Sequence, residues 1–143
     1  MIEYRSARTA GIPPLVLYAI LRLRVDVFVV EQQCAYPELD GRDVEPTAVQ
    51  LWAEDRDEVV ATLRLLTDGP DRRIGRVATA AGARGRGVAA ELMRRALEQS
   101  EGQTVRLDAQ AHLAGWYARF GFAADGPEFT EDGIPHVPMI RRA

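Results

Sequence analysis

The segment Arg84-Gly85-Arg86-Gly87-Val88-Ala89 stands between two stretches of different periodicity. Before it, Ile74-Gly75-Arg76-Val77-Ala78-Thr79 reads as a strand. After it, Val88, Leu92 and Ala96 join Ala89, Met93 and Leu97 on one apolar helical face, with Glu91, Arg94, Arg95 and Glu98 off that face. Gly102 is the expected stop. Glycines at a strand-to-helix junction let backbone N–H groups approach an anion closely. The helix start adds its unpaired N–H groups and the positive end of its dipole. Two arginines add full charge and a fork that matches phosphate oxygens. Together these features make a cradle for a pyrophosphate. It is not a Walker loop, because no Gly-Lys-Ser/Thr follows, and it is not a dinucleotide fingerprint, because the glycines are misspaced and no βαβ repeat with an acidic ribose ligand is clear. On spacing alone, a flexible turn with two solvated arginines fits the same residues.

Outward from this segment, helix and strand signals alternate. Residues 2–6 read as a short first strand. Pro13-Pro14 opens an apolar stretch from Leu15 to Val30, in which Leu17, Ile20, Leu21, Arg24 and Phe28 recur at helical spacing. Val25, Val27, Val29 and Val30 predict an early end to that helix, since β-branching lowers helix propensity. Residues 34–47 are loop-like. Val49–Ala53 and Val59–Leu66 read as a hairpin around the polar turn Asp55-Arg56-Asp57-Glu58, and Asp68-Gly69-Pro70-Asp71 is a second turn. Thr104–Ala109 is a strong strand, Leu113–Phe120 a short helix ended by Gly121, and residues 134–141 a last strand. Strands at both ends with helices between them predict a mixed α/β (α+β) sandwich around one sheet.

Composition narrows the function classes. The 143 residues are expected to form a single domain over 1–143. Hydrophobic residues at 47% and charged residues at 27% exclude collagen-like and wholly disordered chains. A net charge of -3 argues against a nucleic-acid partner. All 18 basic residues are arginine, and lysine and asparagine are absent, which reads as GC-biased coding. The single cysteine, Cys34, excludes an internal disulfide and any CxxC motif. No His/Cys/Asp cluster has metal-ligand spacing, so no metal is expected. No apolar run is long enough to span a bilayer and the first residues hold no signal core, so no membrane association and a cytoplasmic location are expected.

Arg84-Gly85-Arg86-Gly87-Val88-Ala89 resembles the Arg/Gln-x-x-Gly-x-Gly/Ala pyrophosphate loop of the GNAT N-acetyltransferases, with alanine in the final small position. Tyr117-Ala118-Arg119-Phe120-Gly121-Phe122 resembles the Tyr-x-x-x-Gly-Phe segment after that family's fifth strand. The flanks are similar to the ElaA-like branch: Arg24-Val25-Asp26-Val27-Phe28-Val29-Val30-Glu31-Gln32, Asp40-Gly41, Ala109-Gln110-Ala111-His112-Leu113 and Glu131-Asp132-Gly133-Ile134-Pro135-His136. The resemblance covers nearly the whole chain. It implies a mostly antiparallel central sheet, splayed between strands 4 and 5 and flanked by helices. It also implies acetyl transfer from acetyl-CoA to a primary amine, on a small molecule or a peptide.

The resemblance places the pyrophosphate on Arg84, Gly85, Arg86, Gly87, Val88 and Ala89. It places the pantetheine arm along Val77-Ala78-Thr79, where a backbone N–H such as that of Val77 stabilises the oxyanion. Tyr117 matches the position whose hydroxyl lies near the CoA sulfur and is the expected acid, the alternative being a buried tyrosine bonded to a backbone carbonyl. Three residues are candidates for the base or the acceptor wall: His112, His136 and Glu31. Structural roles, with His112 capping a helix, are the alternative for the histidines. Glu38, Asp40, Asp43 and Glu45 form an acidic segment that either attracts a cationic amine or is simply solvated. Gln110 is placed to bond substrate or splayed backbone, Cys34 reads as structural, and Trp52 and Trp116 as core or cleft-lining aromatics. A homodimer is expected by analogy only. A non-catalytic acyl-CoA-binding module is the competing reading, opposed by the intact loop and Tyr117.

Overall fold

The computed structural model describes all 143 residues. Its elements run β1 (Ile2–Arg8), α1 (Pro14–Val25), β2 (Val49–Asp55), β3 (Glu58–Asp68), β4 (Asp71–Thr79), α2 (Val88–Glu98), β5 (Val105–Gln110), α3 (Ala114–Ala118), β6 (Ala123–Ala124), β7 (Phe129–Glu131) and β8 (Ile134–Arg141). One sheet takes the order β1-β2-β3-β4-β5-β8-β6, with β7 also pairing β8. Every pairing is antiparallel except β4 with β5. No helix is long and apolar enough to cross a membrane.

Strand alternation assigns the two faces of the sheet. Leu51 of β2 and Leu63 and Leu65 of β3 point to one side and pack with Val88, Leu92, Met93 and Ala96 of α2 in the main core. Trp52, one residue along, packs with Ile20 of α1 on the other side. The apolar face read from the α2 sequence is the one that is buried.

The valine run after Val25 ends the regular α-helix as expected, yet the chain stays coiled as a wider π-helical turn over Asp26–Glu31. Val27 is buried there against Leu23 and Ala78, so packing outweighs the low propensity. α2 stops at Glu98, and Gly102 sits beyond it at φ +79°. α3 is shorter than expected at both ends: Leu113 belongs to a 3-10 turn, Ala111–Leu113, and the helix stops at Ala118, two residues before Phe120. β6 and β7 were not legible: they hold two and three exposed residues, too few to show a period.

Candidate active site

β4 and β5 are in register only at Arg72 with Val105 and Arg73 with Arg106. Past that point β5 pairs with β8 along its whole length, from Val105 opposite Arg141 to Gln110 opposite His136. β4 stays on β3, so its other edge has no strand partner from Ile74 to Thr79. On the β3 side, Thr62 pairs Ala78 and Arg64 pairs Gly75, which leaves Arg76 and Val77 together opposite Leu63. That bulge holds Arg76 at φ +52° and flips the strand's parity. Ile74 therefore joins the α2 core, while Ala78 packs under α1. A cleft of about 510 Å³ opens at the split, with Gly75 and Val77 on one wall and Leu107, Gln110, Tyr117 and His136 on the other.

β4 leads through a 3-10 turn, Ala81–Ala83, into the glycine-rich segment. Gly85 and Gly87 lie at φ +77° and +72°, and a Cβ on either would meet nothing within 4 Å. Backbone conformation, not space, calls for glycine there. The N–H groups from Gly85 through Ala90 donate no hydrogen bond within the chain, and the first to do so is that of Glu91, to the Gly87 carbonyl at 3.1 Å. Six successive free donors thus surround the start of α2. The Val88 side chain is in the core, which leaves only its N–H for a ligand. Open space, left-handed glycines and free donors fit a pyrophosphate.

The two arginines of this segment are not simply solvated. Arg84 donates to Glu31 at 2.7 Å and to the Thr79 carbonyl at 3.1 Å, and Arg86 donates to Asp55 at 3.3 Å. Glu31 therefore stands at the edge of the phosphate loop and not on the cleft wall, which corrects its expected place beside the acceptor. The Arg84 guanidinium holds the Glu31 carboxyl below the usual carboxylate range, which makes it a weaker base.

Tyr117 is buried at 8% exposure and lines the cleft, and its hydroxyl makes no hydrogen bond within the chain. The alternative of a tyrosine bonded to a backbone carbonyl is therefore not what the structure contains. Burial pushes the phenol up to about 12. His136 lines the cleft, with Nδ1 2.8 Å from the Ile134 carbonyl and its ring stacked on Phe129. Donation from Nδ1–H leaves Nε2 as the accepting nitrogen. His112 sits exposed in the 3-10 turn before α3, is not part of the cleft lining, and makes no capping bond. Gln110 donates to Gln32 at 3.3 Å across the cleft. Cys34 is buried and donates its thiol to the Asp132 carbonyl at 3.0 Å. Trp52 is core, and Trp116 packs edge-on against Tyr117 and Phe120.

The acidic segment is not free to attract an amine: Glu38 and Asp43 are buried, and all four carboxylates are paired with arginines. Arg24, fully buried, donates to Glu38 at 2.7 Å and Asp43 at 2.6 Å. Arg64 donates to Asp40 at 2.7 Å, Arg76 to the Glu38 carbonyl at 3.1 Å, and Arg42 to Glu45 at 2.8 Å. The Arg64 hydrogen bond holds the Asp40 carboxyl far below its usual range. Burial raises Asp43, but Arg24 outweighs it and the carboxyl stays low. Arg64 and Arg76 were missed as cleft residues. The available signal for this network was Arg24, a charge repeating on an otherwise apolar helical face.

A sheet split between β4 and β5, followed by an anion-ready loop at a helix start, defines a GNAT acyltransferase fold. The chain belongs to that family: the acetyltransferase (GNAT) domain model matches residues 22–143. Within it the chain is ElaA-like, being 38% identical over 148 residues to the ElaA protein of Escherichia coli, across 99% of this chain and 97% of that protein. It is also 51% identical over 130 residues to a UPF0039 protein of Mycobacterium tuberculosis, across 87% of this chain and 83% of that protein. The fold superposes on an acyl-CoA N-acyltransferase from Pseudomonas aeruginosa with a TM-score of 0.94, 40% identity and 99% of each chain covered. The crystal structure of Escherichia coli ElaA gives 0.93 and 37%, over 99% of this chain and 100% of that one.

Proposed function

We propose that the chain is an acetyl-CoA-dependent N-acetyltransferase that moves the acetyl group to a primary amine by direct attack, with both substrates held at once. One observation carries this reading: the unpartnered β4 edge runs into the free N–H groups of Gly85 to Ala90. Acetyl-CoA, when bound, supplies the activated thioester. The loop N–H groups hold its pyrophosphate, and Arg84 and Arg86 exchange their carboxylate partners for phosphate oxygens. The backbone of Val77, Ala78 and Thr79 takes the place of a fifth-strand partner for the pantetheine arm. The Val77 N–H donates to the thioester oxygen as charge gathers on it.

Tyr117 donates its proton to the departing sulfur. With its phenol pushed up to about 12, it stays protonated at neutral pH. His136 takes the amine proton at Nε2, directly or through a water. An aliphatic ammonium with a pKa of about 10.4 needs about 4 kcal/mol to become neutral near pH 7.4, so that removal must be assisted. Holding amine and thioester together supplies much of the rate.

Calorimetric titration with acetyl-CoA tests the reading, with CoA and ATP as controls. Micromolar acetyl-CoA binding with weak ATP binding is expected, followed by thiol release across an amine panel. Folded protein that binds no acetyl-CoA would overturn it.

A further inference from the structure

We propose that the outer face of α1 pairs two copies of this chain, antiparallel about a two-fold axis that passes between Arg22 and Asp26. α1 is apolar nearly all round. Its inner side buries Ile20, Leu23 and Arg24. Its outer side leaves Leu15 85% and Tyr18 68% exposed, and the π-helical turn that continues it leaves Val30 64% exposed. α2, on the other side of the sheet, turns Arg94, Arg95 and Glu98 outward instead. A solvated surface helix is built as α2 is, so an apolar outer face calls for a cover. Beside the N-terminal half of α1, Leu17, Leu21 and the exposed Val44 widen this face into a groove of about 730 Å³.

The charge pattern says what the cover is. Two charged side chains interrupt the exposed stripe, Arg22 and Asp26, and neither side chain is ion-paired or hydrogen-bonded within the chain. Tyr18 stands four residues before Arg22, and Val30 four residues after Asp26. Reversed in direction with the signs exchanged, the series Tyr18, Arg22, Asp26, Val30 reproduces its own pattern. In an antiparallel pair, Arg22 of each copy faces Asp26 of the other, and Tyr18 of each meets Val30 of the other beside the groove. One patch thus serves both copies, as a two-fold interface requires. A partner of a single charge sign would set a like charge against one of the two side chains. At about 1.5 Å per residue, Leu15 to Val30 spans about 24 Å. A face of that length and one helix wide lies at the small end of dimer interfaces, which sets the pairing in the micromolar range.

Sedimentation velocity of the whole chain, from about 2 to about 500 µM, is expected to show reversible dimerisation with a Kd of about 50 µM. Arg22→Asp and Asp26→Arg each set like charges face to face twice per dimer, and each is expected to weaken pairing about tenfold. The double swap, Arg22→Asp with Asp26→Arg, rebuilds both pairs and is expected to return the Kd to within about threefold of wild type. Tyr18→Ser reaches the same face without changing charge and is expected to weaken pairing about tenfold as well. All three side chains are exposed, so the fold is expected to survive, which circular dichroism checks. A chain that stays monomeric throughout would overturn the proposal and leave this face to a different partner. A dimer indifferent to the single swaps, or one that the double swap fails to restore, would place the contact elsewhere and overturn it too.

Discussion

Tyr117 illustrates how a residue's task is set by what it does not touch. The residue is buried on the cleft wall, yet no group in the chain accepts its proton. Tyr117→Phe is expected to lower kcat by about 100-fold, the scale of a lost general acid, with acetyl-CoA affinity nearly unchanged. Equal turnover in the two proteins would remove the tyrosine from the chemistry. The same burial has a pH signature. An unfolded tyrosine ionises near 10.0 and Tyr117 at about 12, so folding is not penalised below pH 10 and stability falls as the pH rises from there towards 12. Urea unfolding across that alkaline window should show a shallower loss for Tyr117→Phe. Gly87→Glu places a side chain on a left-handed backbone and a negative charge in the cradle, so loss of acetyl-CoA binding with the fold intact is expected by calorimetry. At this scale much of the site was legible, because Arg84 to Ala89 and Tyr117 carry local spacing. Glu31 was not, because its partner Arg84 is far away in sequence and only the fold brings them together.

Among the elements, β4 carries most of the consequence. Its bulge at Arg76 and Val77 turns one half of the strand towards the α2 core and the other towards α1, and its free edge supplies the cleft. The strand itself could be read from Ile74 to Thr79. The bulge could not, since it is a mismatch against β3 and leaves no periodic trace in six residues. α1 divides the same way. Its valines marked where regular helix ends, while Arg24, a charge repeating on its apolar face, sits in a buried ion-pair network that only the fold reveals. Arg24→Ala is expected to destabilise the protein by about 3–5 kcal/mol, because Glu38 and Asp43 would lose the buried guanidinium between them and keep only Arg76 and Arg64 as counter-charges. Chemical denaturation measures this directly.

Across the whole molecule, arginine serves as the universal counter-charge. It closes the buried network behind the cleft and neutralises the cleft floor. Asp40 and Asp43 both have folded values below the ordinary 3.8, so their contribution to stability is present above that pH and is lost as the pH falls through the folded values. The order of strands and helices was open to a reader of the sequence. The charge wiring was not, because every important pair joins distant segments.

The Glu31–Arg84 and Asp55–Arg86 pairs make the loop an ion exchanger. An arriving polyanion trades places with resident carboxylates, and salt weakens the resident and the newcomer alike. The affinity of such a loop is therefore damped against changes in ionic strength, whereas a loop with bare arginines would follow them closely.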